Sequence, residues 1–166
     1  MAPITSGFVA SPLFLREAEV RRGFDLLHCA YAATVGAMDA VLAQHGLGRA
    51  DQRALYFIGR QPGLTVGELL AFLGVTKQAL NRTLTALEAR GLVTGEAGTV
   101  DRRQRLLRLT GEGKALEEAL FDVMRARLAA AYGGAGQQAV TGFWQVMEGL
   151  IPPEQRPRVA ALSKNA

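Results

Sequence analysis

The stretch Gly63–Thr110, GLTVGELLAFLGVTKQALNRTLTALEARGLVTGEAGTVDRRQRLLRLT, decides the fold. Its opening Thr65-Val66-Gly67-Glu68 has the form of a capping box, a hydroxyl set to accept an early helical N–H and a carboxylate three residues on to reach back. This predicts a short helix through Leu69, Leu70 and Leu73, with Gly74 at the turn that follows. Thr76 is a good N-cap for a second helix, which ends at Arg90-Gly91, a cation followed by a C-terminal glycine. At about 100° per residue, Leu80, Leu84 and Leu87 share one side of that helix, while Gln78, Arg82 and Thr85 share the other with Asn81 flanking. Leu92-Val93-Thr94 and Leu106-Leu107-Arg108-Leu109 are short β-prone runs around GEAGTVDRRQR, which reads as a hairpin with a basic tip. Helix, glycine turn, helix and hairpin in this order predict a helix-turn-helix with a wing.

The side chains on the polar face suit base edges and phosphates. Gln78 and Asn81 can pair in bidentate fashion with adenine, Arg82 with guanine or a phosphate, and Thr85 with a thymine methyl or a phosphate. Taken alone, the helix reads equally well as an ordinary amphipathic helix whose exposed face is polar. The wing separates the two readings, because Arg103 at its tip has the length and charge to enter a narrow, electronegative minor groove. Asp101, two residues earlier, is placed either to orient that guanidinium or to act as a plain turn aspartate, and Arg102 and Arg105 supply further wing charge. Between Thr76 and Thr110 stand seven basic residues, Lys77, Arg82, Arg90, Arg102, Arg103, Arg105 and Arg108, against the three acids Glu88, Glu96 and Asp101. That excess of four equals the net charge of the whole chain, so the positive potential is concentrated here and a polyanion is its natural partner.

Outward from this stretch the pattern is helical. From Pro12 to His45, Val20, Phe24, Leu27, Tyr31, Val35, Met38 and Leu42 recur at steps of three and four, and Gly46 is the expected stop. One helix of that length, about 50 Å, exceeds what a small domain needs, so part of it is expected to meet another chain. Arg49 to Arg60 gives a shorter helix with Leu55, Phe57 and Ile58 as core, ended by Pro62-Gly63. Thr110 caps a long helix to about Tyr132 with Leu116, Leu120, Val123, Met124 and Leu128 apolar, and Gly133-Gly134-Ala135-Gly136 breaks it. A last helix carries Val140, Phe143, Trp144, Met147, Leu150 and Ile151 before Pro152-Pro153, and its aromatic stripe predicts a subunit interface. In the tail, Val159 to Leu162 either docks or frays. The expected fold is therefore mainly α with a small β-wing: an N-terminal extension 1–11, helical dimerisation segments 12–46 and 111–166, and a winged helix-turn-helix lobe 47–110.

Composition bounds the alternatives. The 166 residues, 49% hydrophobic and 20% charged, suffice for one globular domain with apolar surface left over for a partner. Basic residues do not lead an apolar core at the N-terminus, and no continuous apolar run reaches the roughly 18 residues of a membrane span, so neither a signal peptide nor a membrane partner is expected. Cys29, the one cysteine, fits a reducing cytoplasm. No nucleotide-binding loop, nucleophile elbow, zinc spacing or convergent carboxylate pair stands in the sequence, so neither enzyme activity nor a metal or cofactor is expected.

The sequence resembles the MarR family of bacterial transcriptional regulators. The resemblance runs by order of elements from Phe24 to Trp144 and rests on GLTVGELLAFLGVTKQALNRTLTALEARGLV at Gly63–Val93 and DRRQRLLRLTGEGKAL at Asp101–Leu116. The family pattern L-x-x-x-G-L-V, D-x-R and L-T-x-x-G is matched by Leu87–Val93, Asp101/Arg103 and Leu109-Thr110/Gly113. SPLFLREAEVRRGFDLL at Ser11–Leu27, with TKQAL and DRRQRLLRLT, also resembles the PetP-like subgroup, associated with control of respiratory cytochrome genes. The resemblance implies a homodimer with two winged lobes on a pseudo-palindromic operator in duplex DNA. It implies that Thr76, Lys77, Gln78, Asn81 and Arg82 face the major groove or its phosphates, and that Arg103 reaches the minor groove. It further implies control by a small aromatic or phenolic ligand bound between lobe and dimerisation helices, or by cysteine oxidation.

Cys29, His28 and Tyr31 are the candidate sensor residues. No cation neighbours Cys29 in sequence to favour its thiolate, and the interval from Cys29 to Tyr31 does not match the peroxide-sensing branch, so the expectation is a buried thiol beside a packed histidine. The competing function class is a winged helix that binds protein rather than DNA. Such a module has no reason to keep a positive excess on recognition helix and wing together.

Overall fold

The computed structural model of the chain describes residues 16–98 and 101–163. The expected extension 1–11, the helix start at Pro12 and wing-tip residues 99 and 100 lie outside the described residues. By its contacts the chain forms two units, Met1–Gly36 and Ala37–Ala166. The first contributes α1 (Glu17–Gly36), in which no residue is buried.

The expected single helix to His45 is two helices. The chain turns at 37–38, and α2 (Asp39–Gln44) follows. The 20 residues of α1 span about 30 Å rather than 50. Steps of three and four continue across the turn, so periodicity alone does not register it, but burial changes there. Val20, Phe24, Leu27 and Tyr31 are exposed, whereas Met38 and Leu42 belong to the core of the second unit. Gly46, at φ +59°, is the stop the sequence predicted. The segment Glu17–Gln44 also contains a window with mean hydropathy 1.4, enough by length and composition to cross a membrane. That average spans polar breaks such as His28 and Asp39, so it is a different measure from the continuous apolar run, of which the segment still has none long enough.

The second unit continues with α3 (Arg49–Arg60), β1 (Leu64–Thr65), α4 (Val66–Leu73), α5 (Lys77–Ala89), β2 (Val93–Ala97), β3 (Arg105–Leu109), α6 (Gly111–Ala135), α7 (Gln137–Leu150) and α8 (Arg156–Ser163). The capping box forms: Thr65 Oγ1 accepts from Glu68 N at 3.2 Å, and Glu68 Oε2 accepts from Thr65 N at 2.8 Å. Gly74, left-handed at φ +62°, turns the chain from α4 into α5, which Thr76 caps by accepting from Ala79 N at 3.2 Å. The sheet is antiparallel with order β1-β3-β2, and Leu107 and Leu109 of β3 pair with Leu64 and Val93. β1 was not expected; two residues are too few to show a period.

Leu55 and Ile58 of α3, Leu69 of α4, Leu80, Leu84 and Leu87 of α5, Leu107 of β3 and Leu120 of α6 are buried together with Met38 and Leu42. Each such side chain contributes roughly 1.5–3 kcal/mol, which offsets the ordering of the short elements that carry them. Phe57, expected in the core, is half-buried and stacks on Phe72 at 4.7 Å between centroids. α6 runs through Gly133 and Gly134 before Gly136, at φ +80°, ends it. The tail docks: Arg60 Nη2 donates to the Leu162 carbonyl at 2.7 Å.

α5, the hairpin and α6 converge on one backbone contact. Thr110 N donates to Leu92 O at 3.1 Å, Thr110 Oγ1 donates to Gly91 O at 2.7 Å, and the same hydroxyl accepts from Gly113 N at 3.0 Å. A Cβ at Gly113 would lie 2.0 Å from the Leu92 carbonyl oxygen, so the helix can approach this closely only with glycine there. Gly113→Ala is expected to destabilise the protein by about 1–3 kcal/mol, because the backbone shift it forces outweighs the better helix propensity of alanine. Urea denaturation measures this; a stability equal to or above the parent's would show that the junction yields freely.

Candidate nucleic-acid interface

The buried leucines of α5 turn its polar face outward. Lys77, Gln78, Asn81, Arg82 and Thr85 are exposed and line one shallow surface with the small side chains Ala86 and Ala89. Alanines here leave the backbone open to close approach while the longer side chains reach past it. Thr76 is also exposed, with its hydroxyl engaged as the cap.

The wing flanks this helix and is fastened to it. Arg105 on β3 pairs with Glu88 on α5, and Arg108 lies 3.8 Å from Glu96 across the hairpin. Asp101 does not hold the Arg103 guanidinium; its carboxylate accepts from the backbone N–H of Arg103 at 2.9 Å. A spacing of two residues favours this turn geometry over a side-chain pair, so Asp101 positions Arg103 through the main chain. Gly98 N then donates to Gln104 O at 2.9 Å and closes the base of the tip.

These contacts sort the seven basic residues that the sequence could only count. Arg90 donates to His45 O, Arg105 to Glu88, and Arg108 faces Glu96. Lys77 and Arg82 on α5 and Arg102 and Arg103 on the wing are exposed, and among the described residues their charged groups have no protein acceptor. The unpartnered cations thus occupy the two adjacent elements that the fold turns to solvent.

The MarR family model matches residues 45–104. Over 144 residues the chain is 46% identical to the HTH-type transcriptional regulator PetP of Rhodobacter capsulatus, covering 87% of each protein. The chain belongs to the MarR family of transcriptional regulators. Among solved structures, a MarR-family regulator from Silicibacter pomeroyi superposes with TM-score 0.66 at 28% identity over 75% of this chain and 84% of that one. The Mycobacterium tuberculosis MarR family protein Rv2887, in a complex with p-aminosalicylic acid, superposes with TM-score 0.55 at 29% identity over 75% and 95% of the two chains. The matched residues of the MarR model contain the whole helix-turn-helix and the first strand of the hairpin, and end just before β3.

In this MarR lobe a second feature escaped the sequence reading. Tyr56, Gly59 and Arg60 of α3 face Glu117 and Phe121 of α6 across a cleft of about 430 Å³. The Arg60 Nε is buried without a hydrogen-bond partner, and burial raises the Glu117 carboxyl above its ordinary value of 4.5 although the Arg60 charge opposes the shift. The paired elements lie about 57 residues apart in sequence, and nothing local to either marks them as neighbours. On α1, Cys29, His28 and Tyr31 are exposed within the single chain, where a buried thiol and a packed histidine were expected. His28 stacks on Phe24 at 6.5 Å between ring centroids.

Because the native state holds the Glu117 proton to higher pH than the unfolded chain does, this residue lowers stability as pH rises from about 4.5 through its raised value. Glu117→Gln removes that term. Its stability relative to the parent should increase between pH 4 and pH 7 in matched urea titrations, and a pH-independent difference would show that the carboxyl is not desolvated.

Proposed function

We propose that the chain is a sequence-specific DNA-binding regulator that acts as a homodimer on a pseudo-palindromic operator. The observation that carries this reading is the set of unpartnered cations, Lys77 and Arg82 on α5 with Arg102 and Arg103 on the wing. Gln78, Asn81 and Thr85 between them supply the groups that distinguish base edges, while the cations hold the register on phosphates. Exposed apolar faces support the dimer: Phe24 and Tyr31 on α1 are 68% and 61% exposed, and Phe143 and Leu150 on α7 are 45% and 61% exposed. Surface of this kind at helical spacing is what a second copy covers.

Anisotropy titration against the chain's own upstream DNA at two salt concentrations tests the reading. Affinity should fall on the order of 10³-fold or more between about 50 and 200 mM salt, with two chains per duplex. Arg103→Ala should weaken binding by about 1–3 kcal/mol. Weak, salt-insensitive binding to any sequence would instead favour a winged protein-interaction module.

The cleft between α3 and α6 supports control by a small aromatic acid. Tyr56 and Phe121 offer apolar walls, and the partnerless Arg60 Nε is a donor suited to a carboxylate. The similar protein Rv2887 was crystallised with p-aminosalicylic acid and with salicylic acid. A ligand preferring one setting of lobe against α6 shifts the population away from the DNA-competent one. Salicylate at millimolar concentration should raise the melting temperature and release DNA from the parent protein, with Arg60→Gln abolishing both effects; no shift in the parent would remove the cleft from consideration.

A further inference from the structure

α8 is fastened to the lobe from both sides. From the lobe, Arg60 Nη2 of α3 donates to the Leu162 carbonyl in the last turn of α8 at 2.7 Å. Carbonyls at a helix C-terminus lack intrahelical partners and carry partial negative charge, so a guanidinium is a matched cap. From α8, Arg158 Nη1 donates to the Ala71 carbonyl in the last turn of α4 at 3.1 Å. The same guanidinium lies 5.5 Å over the ring of Phe72, which itself stacks on Phe57 of α3. Each partner therefore caps the other's open helix end, and the aromatic pair under Arg158 joins the two lobe helices it touches.

At its other end α8 is held to α7. Pro152-Pro153 makes the corner, and Arg156 Nε donates to the Ile151 carbonyl at 3.0 Å, so α8 leaves the end of α7 in a fixed direction. None of its described side chains, 156–162, belongs to the buried core. The lobe is also joined to α6 directly, at the Thr110–Gly113 junction and along the packing of α3 on α6 that buries Leu116 and Leu120. α8 adds an attachment of its own, from the end of α7 to the first helix of the helix-turn-helix, and each further point of attachment restricts rotation.

We propose that α8 is a strap that ties the end of α7 to the rear of the helix-turn-helix and so sets the orientation in which the lobe presents α5 and the wing. Its contacts are few and lie outside the core, so it is built to be released without unfolding the lobe. A lobe held in its binding orientation loses less freedom when it engages DNA, and a released one loses more. The readout in affinity rests on the DNA-binding reading above; the readout in backbone motion does not.

The experiment compares Arg158→Gln with Arg125→Gln in the full chain. Arg125 is an exposed α6 residue paired with Asp122, and its replacement removes the same charge without touching α8. Arg158→Gln is expected to weaken DNA binding by about 2- to 10-fold, the range one lost hydrogen bond supports, with an unchanged salt slope because no phosphate contact is lost. It should also speed amide exchange in α8 and at the C-terminal end of α4 while exchange in α5 stays as in the parent. Equal weakening by Arg125→Gln, unchanged exchange, or tighter DNA binding by Arg158→Gln would each overturn the strap. Should the parent protein not bind DNA at all, the exchange measurement decides: faster exchange supports the strap and unchanged exchange overturns it.

Discussion

The junction of Gly91 and Leu92 with Thr110 and Gly113 is the constraint on which the lobe depends. One hydroxyl, that of Thr110, donates to the carbonyl that ends α5 and accepts the N–H that begins α6. The Thr110 N–H and the bare Cα of Gly113 both lean on the Leu92 carbonyl. The exit of the recognition helix, the root of the wing and the start of the long helix are thus set by the same few atoms. The leucines around them, Leu87, Leu92, Leu109 and Leu116, are buried and pack beneath this point, while the Thr110–Gly91 bond itself stays at the surface. The sequence patterns G-L-V and L-T-x-x-G, separate along the chain, are two halves of one contact.

Electrostatics in the lobe divides into an inner and an outer set. The Glu88–Arg105 pair is partly exposed and adds little to stability by itself, as such pairs do. Its effect is geometric, because it fixes β3 against α5 and with it the direction in which the hairpin leaves. Arg108 and Glu96 do the same across the hairpin at longer range. Lys77, Arg82, Arg102 and Arg103 keep their charge facing outward on the frame the inner set holds.

What could be read in the sequence was what has a local cause. Thr65 with Glu68, Thr76 with Ala79, and Thr110 with Gly113 are caps whose partners lie three residues away, and all three formed as expected. Leu80, Leu84 and Leu87 are spaced by the helix itself, and their burial followed. The break at 37–38 was hidden because the apolar steps run on through it, and β1 because two residues carry no pattern. The partner of Asp101 was a choice between main chain and side chain that composition does not decide. Arg60 meets Leu162 across 102 residues of sequence, and Arg158 meets Ala71 across 87, so neither contact left a trace in either segment. Cys29 was expected to be buried because no cation stands beside it in sequence to favour a thiolate, yet α1 buries no residue within the single chain.

Thr65 holds two posts at once. It is paired with Leu106 in the sheet, and its hydroxyl and N–H start α4. The first helix of the helix-turn-helix therefore cannot pivot on the hairpin without unzipping a strand and uncapping itself in the same motion. α5 is fixed to that hairpin from the other side by Glu88 and Arg105. Helix and wing are thereby coupled, so a tilt of one is passed to the other, and a surface gripped by both is gripped or dropped together.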